Sequence, residues 1–495
     1  MATPVESSSG AACSFLGLSS SNKVDSNLQN VDELLADEMR GLSLQERYRM
    51  DMDVKGKNLL SAIEPAELVK MGLKAMDKEL QTMTKRTFYE KALRLNSAMV
   101  TSRDFRLSFC RAESFDHVAA ASRMENRLQL LYENFGDQGL LRPIHLTDLD
   151  KAERDLLKAG STQLLPCRDK AGRCIMSRLG DFGTAKHTLR HKLRATLYMT
   201  QVIAEDEETA KQGLVILFWN LQEGDNNLSH ISALRKAAAC SPFRISAFHF
   251  CLNKDQRPAA IVIRTILLAC PEYRSRCRVH IGTTSVTGFS HQSHIVDAVS
   301  QIIFRLSINQ LITTGSVTEC QYALLAYGIP SEFAPITNTG NIKTQNHNKW
   351  IAYREAKENA LRRGIPFDGI DFPSVTDVLA GKGPHVLGHP GNIAFRRIIE
   401  ARFEEHRDAA VIERKTAITW EVLLEIQRRG GRFLVKGKDK GWWTVADEDA
   451  AREKVSVAFR DMLKSTANRE KLLSRKRMDD ARSSISEGNK AQKRS

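Results

Sequence analysis

The chain has 495 residues, of which 42% are hydrophobic, so it is too long for one ordinary core and apolar enough for two or three globular domains. Its formal net charge is +14 at pH 7, and the stretch from Val375 to Ser495 holds 26 Lys+Arg against 18 Asp+Glu, which places +8 of that excess in the last quarter. The longest apolar runs, GLVILFWNL and AAIVIRTILLAC, fall short of the roughly 20 residues that a membrane helix needs, and Arg264 interrupts the second, so a soluble protein is expected.

Residues 1–30 are rich in Ser and Asn and are expected to be disordered. An all-α region follows over 31–119. Ser43-Leu44-Gln45-Glu46 reads as a capping box, in which the hydroxyl accepts from a first-turn amide and Glu46 reaches back. Met124, Leu128, Leu131 and Phe135 recur at helical spacing. The pattern then changes. Gln163–Pro166 and Cys174–Met176 read as short strands around a turn at Asp169–Gly172, and helix follows from about Leu189 to Lys211. Leu214–Trp219 is a continuous apolar run of strand length, as in a sheet covered on both faces. A helix near Leu228–Ala239, a strand at Ile245–Cys251, an apolar helix at Ala259–Ala269 and a strand at Arg278–Ile281 complete an α/β alternation over 120–335.

Residues 336–373 are polar and read as a linker carrying one helix, about Lys349–Arg363. A second module is expected over 374–463: helices at Ile393–Arg407 and Ala410–Arg429, a C-cap at Gly430-Gly431, and a β-hairpin of Phe433–Lys436 and Trp442–Val445 around GKDKG. Asp447 is placed to cap the next helix, and 464–495 form a charged tail. The fold class is therefore α/β, preceded by an all-α region and followed by a small, mainly helical domain with a hairpin.

The order and texture of residues 120–335 resemble the CRAL-TRIO lipid-binding family, which includes phosphatidylinositol and tocopherol transfer proteins. The residues that carry the likeness are Asp169-x-x-Gly172-Arg173, the acidic Ala204-Glu205-Asp206-Glu207 before GLVILFWNL, Ser241-Pro242-Phe243-Arg244, the strand AFHF and Cys277-Arg278-Val279-His280. Leu44–Val54 and Tyr327-Gly328-Ile329-Pro330 resemble a divergent algal branch of that family. Phe243 stands where the family often has an acidic residue. The resemblance implies a mixed sheet with covering helices and an apolar pocket for a lipid. Ile216, Phe218, Phe248 and Phe250 are the candidate pocket residues, and Ile261, Ile266 and Leu267 of the Ala259–Ala269 helix the candidate gate. Lys254 and Arg264 are candidates for the pocket mouth.

Residues 374–462 resemble a domain of unknown function abundant in algal proteomes. Here the carriers are Asp377-Val378-Leu379-x-Gly381-Lys382-Gly383, His389-Pro390-Gly391-Asn392, Phe395-Arg396, Gly430-Gly431-Arg432-Phe433-Leu434, Trp443, Asp447, and Glu453-Lys454-Val455 with Ala458-Phe459-Arg460. This likeness implies no chemistry. His389-Pro390-Gly391-Asn392 reads as a helix start with Asn392 as cap. Lys382, Lys436, Lys438, Lys440 and Trp443 are the candidates for contact with an anion or nucleic acid.

His187-x-x-x-His191 and the pair His291 and His294 have ligand spacing, but no third ligand accompanies either, so no metal is assigned. No Gly-x-Ser-x-Gly elbow, phosphate loop or dinucleotide fingerprint occurs, and neither a cofactor nor enzyme activity is expected. The nine cysteines include no C-x-x-C pair, which fits a reducing compartment, cytoplasm or nucleus. The expected role is binding or transfer of a lipid or other apolar small molecule, with transient contact to a membrane surface and a regulatory C-terminal domain. The alternative is a nucleic-acid-associated regulator that works through the basic C-terminal domain.

Overall fold

The computed structural model describes residues 35–55, 64–179, 187–219, 228–253, 271–282, 315–337, 341–437 and 442–468. Within them the protein mixes helix and sheet. A five-stranded and a three-stranded sheet are each of mixed direction, and the C-terminal region is mainly helical. No helix among the described residues is long and apolar enough to cross a membrane.

Helix α1 (Leu44–Val54) starts at the expected capping box: the Glu46 amide donates to the Ser43 hydroxyl at 3.2 Å, and the Ser43 amide to the Glu46 carboxylate at 2.8 Å. Helices α2 (Ala66–Thr82), α3 (Thr87–Thr101), α4 (Arg103–Ala112) and α5 (His117–Phe135) enclose a core of Val69, Met76, Leu80, Phe109, Met124 and Leu128. The buried Glu125 of α5 accepts the Phe88 and Tyr89 amides at 2.9 and 2.8 Å, placing a carboxylate on the first turn of α3. Leu131, farther along α5, belongs to the core of the sheet, so α5 joins the two regions.

The first sheet runs β1 (Thr162–Arg168), β2 (Cys174–Leu179), β3 (Leu214–Trp219), β4 (Ile245–Asn253), β5 (Cys277–Gly282), in that order. β1 and β2 are antiparallel, and β2 through β5 are parallel. Gly172, at φ +85°, closes the β1–β2 turn with its amide 2.9 Å from the Asp169 carbonyl. Short helix α6 (Lys151–Lys158) precedes β1. The helix expected from Leu189 to Lys211 is two: α7 (Leu189–Ile203) and α8 (Glu207–Gln212). It breaks because Asp206 caps α8, accepting the Thr209 amide at 2.9 Å. Helix α9 (Leu228–Ala239) links β3 to β4.

Alternation along β3 divides the sheet into two faces. Ile216 joins Met176, Tyr198, Met199 and Ile351 on the face that α7 covers. Val215, Leu217 and Trp219 point the other way, to Cys320 and Leu324 of α10 (Gly315–Leu325), to Ile329 and Ile336, and to Val54. Both faces are covered, which is why all six residues of β3 are apolar and buried. Phe243 is core, packed with Ile245, so its position calls for an apolar side chain rather than an acidic one.

The helix of the 336–373 stretch is α11 (Gln345–Arg362), and it packs into the first module rather than standing free as a linker. Ile351 lies in the sheet core, and the buried Arg354 forms a bidentate pair with Glu205 at 2.8 and 2.9 Å and reaches Asp371 at 3.1 Å. Glu358 accepts from the Tyr198 hydroxyl at 2.8 Å and from the Leu146 amide at 2.7 Å.

The C-terminal module holds α12 (Pro390–Asp408), α13 (Ile412–Arg428), a helix over 448–468, and β6 (Val378–Leu379), β7 (Phe433–Lys436) and β8 (Trp443–Val445). β7 and β8 form the expected antiparallel hairpin. β6, not foreseen, adds in parallel to β7 and makes a three-stranded sheet. The Gly430-Gly431 C-cap forms with Gly430 at φ +74° and the Gly431 amide on the Ile426 carbonyl at 3.0 Å. Asp447 caps the last helix by accepting the Ala450 amide at 2.7 Å.

Candidate functional site

Four of the seven expected pocket residues come together on one face of the parallel sheet. β3 and β4 pair Ile216 with Phe248 and Phe218 with Phe250. All four side chains share the face that α7 covers. The Phe218 and Phe250 rings lie 5.5 Å apart, Phe248 stacks on Phe250 at 6.1 Å, and Tyr273 closes on Phe248 at 5.0 Å. Phe218 and Phe250 are buried and Phe248 is half-buried. The core cluster that includes α7 takes in Ile216 and the edge of Phe248. The gate residues Ile261, Ile266 and Leu267, and the mouth residues Lys254 and Arg264, lie outside the described residues, as does the rest of Ala259–Ala269.

Two members of this face were missed in the sequence. Tyr273 lies in the polar run PEYRSR, where nothing marks it as a core ring. Arg178 is the next-to-last residue of β2, a strand in which Ile175 and Leu179 face α10 while Met176 faces α7. Period-two alternation therefore sets Arg178 on the aromatic face, and it pairs directly with Phe218 on β3. Burial pushes its guanidinium down to about 10. The signal was available: Arg178 sits two positions after Met176, in phase with the candidate pocket rather than out of it.

The opposite face carries a buried polar pair. His249 Nδ1 lies 3.0 Å from His280 Nε2, and the Tyr327 ring stands edge-on to His249 with centroids 4.4 Å apart. Burial holds both imidazoles neutral, His280 down to about 4. His187 and His191 have ring centroids 6.2 Å apart. His191 caps its own helix, its Nδ1 accepting the Thr188 amide at 3.3 Å.

In the C-terminal module the motif residues act on backbone. Asn392 is not the cap of α12. His389 and Pro390 begin the helix, and Asn392 lies inside it, where its amide closes two hydrogen bonds on Leu379. The Leu379 amide donates to it at 2.7 Å, and it donates to the Leu379 carbonyl at 2.9 Å. A two-residue strand needs that external partner more than the helix needs a cap. Asp377, fully buried, accepts from Arg432 at 2.7 Å and from the Ser374 amide at 2.8 Å. Gly391 and Gly431 pass so close to the backbone of Asp377 and Thr376 that a Cβ would lie 2.0 and 2.4 Å from their carbonyl oxygens.

The expected anion-binding residues are only partly brought together. Lys382 is exposed between Gly381 and Gly383. Lys436 lies over the Trp443 ring at 5.8 Å, and Trp443 also packs on the cluster of Leu379, Val386 and Leu434. Lys438 and Lys440 lie outside the described residues.

The geometry thus defines a mixed α and β protein with an aromatic patch on one face of its larger sheet, followed by a module whose motifs knit its own chain. Residues 377–461 of that module match a family described as a domain of unknown function (DUF6824). Comparison with curated proteins gives no match.

Proposed function

We propose that the chain binds an apolar ligand, a lipid, against the aromatic face of its parallel sheet, as the resemblance of its first module to the CRAL-TRIO family implies. The observation that supports the reading is the shared face of Ile216, Phe218, Phe248 and Phe250, closed by Tyr273. Each CH₂ of an acyl chain buried there contributes about 0.8 kcal/mol, so a long chain is held strongly and leaves into another apolar phase, a membrane surface. The C-terminal module, docked on α11, is the regulatory part in this reading. The alternative, nucleic-acid binding through Lys436 and Trp443, has less support, because the Trp443 ring already packs inside its own module.

Native mass spectrometry of the full chain, with lipid extraction, tests the proposal alongside uptake of a fluorescent long-chain fatty acid. A co-purifying lipid or saturable uptake is expected, with uptake weakened by Phe250→Ala and less so by Phe250→Leu. No lipid and no uptake, in a protein that melts cooperatively, would overturn it.

A further inference from the structure

We propose that Cys240 is a thiol-exchange site, at which the cavity between α5 and α9 receives a small, peptide-like anionic disulfide. The site uses none of the residues of the aromatic face and does not depend on the lipid reading.

A cavity of about 390 Å³ opens between the two helices, room enough for a small peptide. Asn126, Gln129 and Glu133 of α5 line it, with Lys85, Lys236 and Cys240. Lys85 and Lys236 are exposed, so the rim offers two cations to carboxylates, while Glu133 and the two amides suit an ammonium and peptide groups. The second observation lies beneath the cavity wall. Arg127 of α5 is only 2% exposed and makes no ion pair among the described residues. It donates to the Thr200 hydroxyl at 3.1 Å and the Leu197 carbonyl at 3.2 Å, and neither carries charge. A buried guanidinium without a counter-ion is costly. Burial pushes it down and Cys240 pushes it back, so the sulfur is the anion within its reach. The converse holds at the thiol, which burial pushes up and Arg127 and Arg123 pull back. Arg123 also donates to the Ser241 carbonyl at 3.0 Å, which fixes the turn after Cys240. A cysteine on a cavity wall, set against an unpaired cation, is placed for exchange.

In the exchange the Cys240 thiol gives its proton to water. Its thiolate attacks one sulfur of the disulfide and forms a mixed disulfide as the original S–S bond breaks. The other half leaves with the electron pair and takes up a proton, so Cys240 is oxidised and the departing half reduced.

The test incubates the full chain with glutathione disulfide or with uncharged hydroxyethyl disulfide, and peptide mass spectrometry locates the modified cysteines. Cys240 is expected to carry the glutathionyl group, while Cys110 and Cys251, closed in packed cores, stay free. Scaled to the rates with free cysteine, glutathione disulfide should react about fivefold faster than the neutral probe at Cys240, the effect of two exposed cations. Lys85→Gln with Lys236→Gln should abolish that preference without touching the core. Arg127→Gln should slow the exchange and move its pH profile upward, and Arg127→Lys should restore both. Should the Arg127 variants fail to fold, the rim variant still decides. A Cys240 that stays unmodified in the folded chain overturns the site. Equal scaled rates in the wild type overturn the anionic class of ligand. An unmoved pH profile in a folded Arg127→Gln protein overturns the part given to the arginine.

Discussion

The Trp442 ring stands edge-on to that of Tyr353, with centroids 5.6 Å apart and an interplanar angle of 76°. Phe367 completes the contact, 5.7 Å from Trp442 and 5.4 Å from Tyr353. Trp442 belongs to the C-terminal hairpin region, and Tyr353 to a helix whose neighbours Ile351 and Arg354 lie in the first module. A second joint lies nearby: Arg168 of β1 donates to the Pro373 carbonyl at 2.8 Å, and Val375 fills the space beside Gly172. The modules are therefore coupled through packed rings and a buried cation.

Trp442→Ala should remove that aromatic joint at a cost of about 2–3 kcal/mol, less than a fully buried Trp because the ring is half-exposed. Trp442→Phe should recover most of it. Urea unfolding reads the loss, and limited proteolysis should cut faster between Arg363 and Pro373 in the Ala variant. Unchanged unfolding and cleavage would show that the ring cluster joins nothing.

Two glycines three positions apart should behave oppositely. A Cβ at Gly388 meets nothing within 4 Å, whereas one at Gly391 would sit 2.0 Å from the Asp377 carbonyl oxygen. Gly388→Ala should be neutral or slightly stabilising. Gly391→Ala must push β6 off α12, breaking the Asn392–Leu379 bonds, at a cost of several kcal/mol. Thermal melting of the two variants decides it, and similar melting temperatures would refute the close approach.

How much of this was legible depends on how local each signal is. β3 was plain because a buried parallel strand needs six apolar residues in a row, and the capping box because its two partners are three residues apart. β6 was not, since two residues carry no period. Its strand character comes from Phe433, 55 positions after Val378, and from the Asn392 amide. Distance also hid the contact of Trp442, whose ring partner Tyr353 lies 89 positions earlier. The aromatic face was half-legible: the phenylalanines stood out in the sequence and Arg178 is in phase with Met176, while Tyr273, which lies in no strand, emerged only from its packing on Phe248.

Acid should destabilise the protein through its buried histidines. Burial pushes His389 and His280 down to about 4 each. Their folded pKa lies below the ordinary 6.5, so the folded state binds fewer protons than the unfolded chain across that window. The stabilisation is complete above about pH 6.5 and is lost as pH falls toward 4. Asp371, which burial pushes up to about 6, works in the opposite direction at the lower end, so a difference measurement is needed. Relative to wild type, His389→Asn should flatten the stability–pH slope between pH 6.5 and 4, by at most about 1.4 kcal/mol per pH unit. Parallel curves would mean that His389 titrates normally in the fold.

Asp53 is the buried charge that fastens α1 to the sheet, while the more exposed Asp51 adds a looser pair with Arg278 of β5 at 3.7 Å. Asp53 has Arg244 on one carboxylate oxygen at 3.0 Å and Arg276 on the other at 3.4 Å. Arg173 donates to the Asp53 and Val54 carbonyls at 2.5 and 3.0 Å, while its own charge is met by Asp169 at 2.7 Å. Burial pushes the Arg244 guanidinium down, Asp53 counters that, and Arg276 and Arg173 add to the depression. Asp53→Asn keeps the shape and removes the one carboxylate between Arg244 and Arg276. Those cations are then left facing each other, which should cost about 3 kcal/mol. Because the carbonyls held by Arg173 belong to the same turn, α1 should come away as a unit, and hydrogen exchange of the 44–54 amides should accelerate with it. Removing one cation relieves the repulsion, so Asp53→Asn with Arg276→Gln should be more stable than Asp53→Asn alone. A double-mutant cycle should show a coupling of about 1–2 kcal/mol. Strict additivity, or unchanged exchange in the single variant, would mean that α1 is held by Val54 and its apolar contacts and that the carboxylate is incidental.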